Sequence, residues 1–308
     1  MKIVTIVNPN AGRALKDPSL VSSLERILSP HGLFMVTRSL AEIPSAVENI
    51  ARENPDILAI CGGDGTLYHT LSPFFHLNGT QNLPLIAILK GGTTNTLLKS
   101  VGSKENPQYF ARRMVDEIHG RRRFNFVEFD VMKINEGYGF FAGIAMSAKL
   151  VVAYLKGGNA SIPKAVSLIL KSAGSALVGG PFARELSAPV SVEGSVDGVP
   201  FPLKSVTVLF VSTTSTIGFG LKPTARGHER PGYFQLVASS RHPSFLVWQF
   251  LSALIIGSPL RGKGHAQGLF KHLELTFSQP EYYMVDGELF SSRTFNVEIG
   301  PRLKIIRW

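Results

Sequence analysis

The chain has 308 residues, 44% of them hydrophobic and 18% charged, with a formal net charge of +10. That balance supports two domains or one large one with a sizeable core, and excludes a disordered chain. The single cysteine, Cys61, excludes an internal disulfide framework and a thiolate zinc cluster, while the basic excess favours polyanionic partners: nucleic acid, anionic headgroups or nucleotide phosphates.

In chain order, Ile3–Val7 is predicted to be a buried strand, and its apolar run is too short for a signal peptide. Leu20, Val21, Leu24, Ile27 and Leu28 share one helical face. Leu33–Thr37 reads as a second strand, Ala46–Arg52 as a second helix, Ile57–Cys61 as a third strand and Leu85–Leu89 as a fourth. Pro107 opens a helix carrying Phe110, Met114 and Ile118, and Arg121-Arg122-Arg123 is a solvated helix end. Such alternation implies right-handed crossovers and a mostly parallel sheet covered on both faces. Cys61, at the end of an apolar run, is expected to be a buried structural thiol.

Beyond residue 127 the pattern changes. Val131–Ile134, Val190–Val196, Val206–Ser212, Phe234–Ala238, Leu273–Phe277, Phe295–Ile299 and Leu303–Ile306 are short strand-like runs separated by turn signals such as Asp197-Gly198 and Pro231-Gly232. Helical insertions are expected at Ala148–Val178 and Phe245–Ile256. The predicted organisation is an α/β domain at residues 1–127 and a β-rich sandwich or barrel at 128–308.

Three loops follow the first, third and fourth strands. Gly62-Gly63-Asp64-Gly65-Thr66 leads from a strand into a helix, where glycines let backbone amides approach phosphate oxygens and the helix N-terminus favours anions. Asp64 suits Mg²⁺ handling or a hydrogen-bond network rather than anion binding. Lys90-Gly91-Gly92-Thr93-Thr94-Asn95-Thr96 and Asn8-Pro9-Asn10-Ala11-Gly12-Arg13 lie on the same sheet edge, where ligands of open α/β sheets bind. Arg13 is placed to offer a cationic donor. Read alone, each loop is also compatible with an ordinary helix-capping turn.

Together these motifs resemble the diacylglycerol kinase catalytic family, which also holds sphingosine and ceramide kinases. Asn8–Arg13 is similar to its Asn-Pro-x-x-Gly-Lys start, Gly92-Thr93-Thr94-Asn95 to its Gly-Thr-x-Asn motif, Phe129-Asp130-Val131 to its acidic strand motif and Asp286-Gly287-Glu288 to its C-terminal Asp-Gly-Glu. The resemblance implies a Rossmann-like nucleotide-binding α/β domain, a β-sandwich domain for the lipid, and a cleft between them. It implies ATP at Asn8, Pro9, Asn10, Gly12, Arg13, Gly62, Gly63, Asp64, Gly65, Thr66, Gly92, Thr93 and Asn95. It also implies Mg²⁺ at Asp64, Asp130 and Glu288, and Asp286 as the base for a lipid hydroxyl with Glu288 assisting. Three positions depart from the family pattern: Thr96 in place of Asp, Tyr68-His69 in place of Asn-Glu, and Pro231 in place of an Asp that some bacterial members use for a regulatory Mg²⁺.

NAD kinase shares Gly62–Thr66 but calls for an Asn-Glu pair that is missing here, and a non-catalytic binding protein is the other alternative. Gly257–Gly264 nearly matches a P-loop but lacks its Ser/Thr and follows a helical run; Arg261 and Lys263 better suit a loop near anionic lipid. No Gly-x-Ser-x-Gly elbow or metal-spaced histidine set appears. The expected partners are a lipid substrate, an anionic membrane surface met peripherally from the cytoplasm and a second copy in a homodimer, with no nucleic acid because no recognition signature is present.

Overall fold

The computed structural model describes residues 1–92, 96–103, 105–120, 122–156, 167, 175, 180–217, 220–241 and 252–308. The chain divides into two compact units, Met1–Phe129 with Pro301–Trp308, and Asp130–Gly300.

In the first unit, strands β1 (Ile3–Val7), β2 (Phe34–Val36), β3 (Ile57–Gly62) and β4 (Leu85–Lys90) form a parallel sheet in the order β2-β1-β3-β4. Helices α1 (Gly12–Lys16), α2 (Ser19–Leu28), α3 (Ile43–Glu53), α4 (Asp64–Asn78), α5 (Thr96–Val101) and α6 (Pro107–His119) alternate with them. Every residue of β1 and β3 is buried. A strand covered on both faces has no solvent side to alternate with, which explains the unbroken runs Ile3–Val7 and Ile57–Cys61. Ile3, Val7, Ile57, Ala59, Cys61 and Leu89 share a core with Leu20, Leu24 and Leu28 of α2 and Phe110 and Met114 of α6. The pleat turns Val4, Ile6, Leu58 and Ile60 the other way, where they too are buried. Asn106 caps α6 by accepting from Gln108 N, and Pro107 sits at its first turn.

The second unit is built from antiparallel strands, of which the first begins and the last ends in residues of the first unit. In chain order these are β5 (Phe126–Ile134), β6 (Gly137–Gly139), β7 (Phe141–Ala145), β8 (Val190–Ser191), β9 (Glu193–Val196), β10 (Val199–Pro200), β11 (Ser205–Val206), β12 (Val208–Ser212), β13 (Phe234–Ser239), β14 (His265–Phe270), β15 (His272–Val285) and β16 (Glu288–Ile306). The main run is β14-β13-β12-β7-β15-β16. β15 pairs β9 through Leu273–Thr276 and β7 through Tyr283–Val285, with its register against β16 shifting between Thr276 and Glu281. Such an irregularity bends a strand, so one strand can serve two neighbours. Helix α7 (Met146–Lys156) packs on β7, β12 and β15. The expected architecture, α/β first and β-rich after, is the one observed.

The differences have physical causes. β7 and β14 escape sequence detection because Phe-Ala-Gly-Ile-Ala and His-Ala-Gln-Gly-Leu-Phe carry little β-propensity; cross-strand pairing makes them strands. Phe295–Ile299 and Leu303–Ile306 are parts of one strand, β16, in which the chain passes from one unit to the other. Residues 301–308, expected in the second domain, thus fold with the first. Ile305 pairs in parallel with Ile86, and Ile306 joins the first unit's core. An apolar alternation announces a strand but not the sheet that receives it. Most of the expected helices at Ala148–Val178 and Phe245–Ile256 lies outside the described residues.

Trp308 closes this return. Its ring meets Phe110 at 4.4 Å and Phe124 at 6.2 Å between centroids, with the Arg113 guanidinium 5.0 Å above it. Replacing Trp308 by Ala is expected to lower unfolding stability by roughly 2–3 kcal/mol, less than for a fully buried aromatic because the ring stays partly exposed. Urea unfolding followed by far-UV circular dichroism measures it; a midpoint equal to wild type would refute the packing role.

Candidate active site

Parallel pairing brings the tips of β1, β3 and β4 side by side, with Val7 opposite Cys61 and Gly62 opposite Lys90. Asn8 N donates to Cys61 O at 2.9 Å, and Asn8 Nδ2 donates to Thr66 Oγ1 at 3.1 Å. Asn8 Oδ1 accepts from Asn10 N, and Asn10 Nδ2 donates to Arg38 O. Pro9 lies in this turn, and Gly12 opens α1. Arg13 N donates to Gly91 O at 2.8 Å, tying the first loop to the third. The Arg13 charge is felt at Cys61, whose thiol burial pushes up to about 12. That agrees with the expected inert thiol.

The glycines serve different purposes. A Cβ on Gly91 would lie 2.7 Å from Gly62 N and 2.8 Å from Gly62 Cα. The third loop therefore packs backbone to backbone on the second. Gly63 is different: its φ of −100° suits any residue, and an added Cβ would come no nearer than 3.4 Å to Gly92 Cα. Among the described residues nothing demands glycine at 63. Gly63 is also the N-cap of α4, without a side-chain cap, so the amides of Asp64, Gly65 and Thr66 open the helix at the sheet edge.

Asp64 joins two loops. Its Oδ1 accepts from Thr96 N at 2.8 Å and its Oδ2 accepts from Thr96 Oγ1 at 3.0 Å, so it caps α5. Gly92 follows β4; Thr93 and Asn95 lie outside the described residues. Burial raises the Asp64 carboxyl above its ordinary range, against the Thr96 side chain, the Thr96 and Leu97 backbone and the Lys99 charge, which pull it down. A carboxyl whose folded value is raised binds its proton more tightly in the folded protein. Stability from this group therefore falls as pH rises from its unfolded value through the raised one. Asp64→Asn keeps an acceptor for Thr96 N and removes the buried charge. Its stability is expected to change less than wild type's between acid and neutral pH, as urea unfolding at both would reveal; equal pH slopes would refute this.

In the second unit, Asp286-Gly287 links β15 to β16 as a two-residue turn, with Val285 opposite Glu288. Both turn residues have positive φ, 48° and 97°, as a type I′ hairpin requires. The Asp286 carboxylate folds back onto two backbone amides. Oδ1 accepts from Phe141 N at 2.9 Å and Oδ2 from Phe140 N at 3.0 Å, while Asp286 N donates to Phe141 O at 2.8 Å. A Cβ on Gly139 would sit 2.8 Å from Asp286 Oδ2, so glycine leaves room there. Glu288 opens β16, half-buried. Asp130, on β5 and only 8% exposed, accepts from Gly232 N at 2.7 Å through Oδ2. It thereby holds the Pro231-Gly232 turn.

Among the described residues no three His, Cys, Asp or Glu side chains form a metal-holding group. Mg²⁺ carried by nucleotide phosphates needs only one or two protein carboxylates, so the chemistry of a single carboxylate such as Asp64 suits such an ion without a preassembled protein cage. Sequence reasoning missed the Phe140 and Phe141 amides, the role of Gly139 and the partnership of Thr96 with Asp64. Backbone donors carry no sequence signal, although Thr96 stood out as a departure.

Residues 2–124 match the diacylglycerol kinase catalytic domain family. No curated protein matches the chain. Among solved structures, a diacylglycerol kinase from Bacillus anthracis str. Sterne superposes with a TM-score of 0.67 at 17% identity. Two more from that organism, provisionally so named, give 0.71 at 17% and 0.71 at 18%. Each alignment covers 100% of this chain and 97% of the other. At such identities the likeness concerns the fold. Residues 2–124 thus carry the diacylglycerol kinase catalytic-domain signature, on a chain whose whole fold is that of these structures.

Proposed function

We propose that the protein is an ATP-dependent lipid kinase that transfers the γ-phosphoryl group of ATP to a lipid hydroxyl, with diacylglycerol or a related lipid as acceptor. One observation carries the reading. Gly63 stands at the mouth of α4 in a backbone conformation open to any residue and, among the described residues, with room for a side chain, which fits a ligand that approaches the backbone. The amides of Gly63, Asp64, Gly65 and Thr66 bind phosphate oxygens, and Arg13 supplies a cation beside them. Asn8, Pro9, Asn10, Gly12 and Gly62 hold the loops that present these groups; Gly92 and, on the motif alone, Thr93 and Asn95 are proposed as further nucleotide contacts. Mg²⁺, when bound with ATP, supplies charge neutralisation, and Asp64, Asp130 and Glu288 are the carboxylates proposed to meet it.

Phosphoryl transfer asks mainly for alignment and for an acceptor that can lose its proton. Asp286 is the proposed base. Its carboxylate is oriented by two amides, so it is ready to accept the lipid hydroxyl proton without reorganising. Glu288, two residues on, assists.

Incubation of the protein with labelled ATP and Mg²⁺ and a panel of diacylglycerol, ceramide and long-chain base tests this directly. One labelled lipid product is expected. Folded protein that labels none of them, under any Mg²⁺ concentration, would overturn the assignment, and NADP formed from NAD would replace it with NAD kinase.

A further inference from the structure

In the second unit, a short helical segment, 252–256, ends on two isoleucines that face water. Ile255 is 59% exposed and Ile256 69%, whereas Ala253 and Leu254 beside them are buried. Gly257, at φ +73°, stops the helix, its N donating to Ala253 O at 3.0 Å. The following loop is clamped. Leu260 is buried against Val237 and Ala253. Gln267 holds the Leu260 backbone twice, Oε1 accepting from N at 3.1 Å and Nε2 donating to O at 2.9 Å. Arg241 Nε donates to Lys263 O at 2.8 Å, and Ser252 and Ser258 join through their hydroxyls.

Arg261 and Lys263 are thus exposed on a fixed loop a few residues from the isoleucine pair. Lys222, also exposed, is held at the same helix end, its N donating to Leu254 O. Across residues 220–241 and 252–271 the only acidic residue is Glu229, and its carboxylate is taken by Arg226 at 2.6 Å. Two exposed aliphatic side chains with three exposed cations on the adjoining segments, and no free acid in those segments, match a surface that meets acyl chains and anionic headgroups together. No helix among the described residues is long and apolar enough to cross a membrane, so the contact would be made at the surface.

We infer that Ile255 and Ile256 with the Ser258–Gly264 loop form a docking surface for an anionic lipid bilayer, the isoleucines entering the headgroup boundary and Arg261, Lys263 and Lys222 facing lipid phosphates. This deepens the lipid-kinase reading, because it says how the enzyme reaches an acceptor that stays in a membrane.

The full-length protein should co-sediment with vesicles of phosphatidylcholine and phosphatidylglycerol, weakly with phosphatidylcholine alone, and less as salt is raised. Ile255→Ser with Ile256→Ser should weaken vesicle partitioning by at least about tenfold. Arg261→Glu with Lys263→Glu should abolish the preference for anionic vesicles. Neither should alter turnover of a short-chain lipid dispersed below its micelle concentration. An Ile256→Cys variant carrying an environment-sensitive dye offers a second route, since native Cys61 is fully buried and escapes labelling. Its emission should shift to the blue on anionic vesicles.

Wild-type binding by the isoleucine variant, or an unshifted dye, overturns the surface. So does a wild-type dimer that the isoleucine changes split while vesicle binding persists, which would make this face an interface between copies. Vesicle binding without any lipid phosphorylation would overturn the kinase reading and leave the surface standing.

Discussion

Asp286→Asn is expected to reduce lipid phosphorylation by a factor of about 10²–10⁴, the usual contribution of a positioned general base. The substitution is chosen because Asn tolerates the left-handed backbone, at φ +48°, that the Asp286-Gly287 turn imposes. It does not preserve the hydrogen bonds. One face of the amide can accept from Phe141 N or Phe140 N, but its NH₂ then opposes the other donor. A buried donor left unmatched costs about 1–3 kcal/mol, so a lower melting temperature should accompany the lost activity. Asp286→Ala removes both acceptors and should destabilise more. The separating measurement is ATP-analogue affinity, which should remain at the wild-type value because the proposed nucleotide loops lie in the other unit. Turnover at the wild-type rate in Asp286→Asn would remove Asp286 from the chemistry. Activity confined to binding, with no lipid labelled by wild type either, would favour the non-catalytic alternative.

Two glycine substitutions separate folding from ligand binding. Gly91→Ala drives a Cβ into the Gly62 backbone at 2.7–2.8 Å, where no side chain can swing aside. Overpacking of this kind costs about 1–3 kcal/mol, and the two loops should part. Both stability and ATP affinity are expected to fall. Among the described residues Gly63→Ala meets nothing closer than 3.4 Å, and it keeps an extended backbone. It should fold with wild-type stability yet bind an ATP analogue at least about tenfold more weakly, a loss of roughly 1.4 kcal/mol. Isothermal titration with thermal melting on both variants gives the answer. If Gly63→Ala binds as wild type does, no phosphate approaches this backbone and the nucleotide site must be sought elsewhere.

Much of the first unit is legible in the residues themselves. The unbroken runs at Ile3–Val7 and Ile57–Cys61 announce strands buried on both faces, and the spacing of Leu20, Leu24 and Leu28 announces a helix face; the structure has all three. Motif order also pointed to a nucleotide-type loop after β3. The short strands of the second unit were harder, since β7 and β14 are held by neighbours rather than by propensity. Asp64 shows the same limit at the site. Its residue type suggests metal or network, and its hydrogen-bonded partner Thr96 lies 32 residues away, outside any local pattern.

Local sequence determined what depends on neighbours a few residues apart: strand and helix periods, the Asp286-Gly287 turn and the glycine-rich strand tips. Only the tertiary structure decided which sheet receives residues 301–308, which amides orient Asp286, and which glycines serve packing rather than a ligand. These depend on partners between about thirty and well over a hundred positions apart, such as Phe141 and Asp286 at a separation of 145. Backbone groups are chemically alike at every residue, so a sequence cannot say which of them will meet.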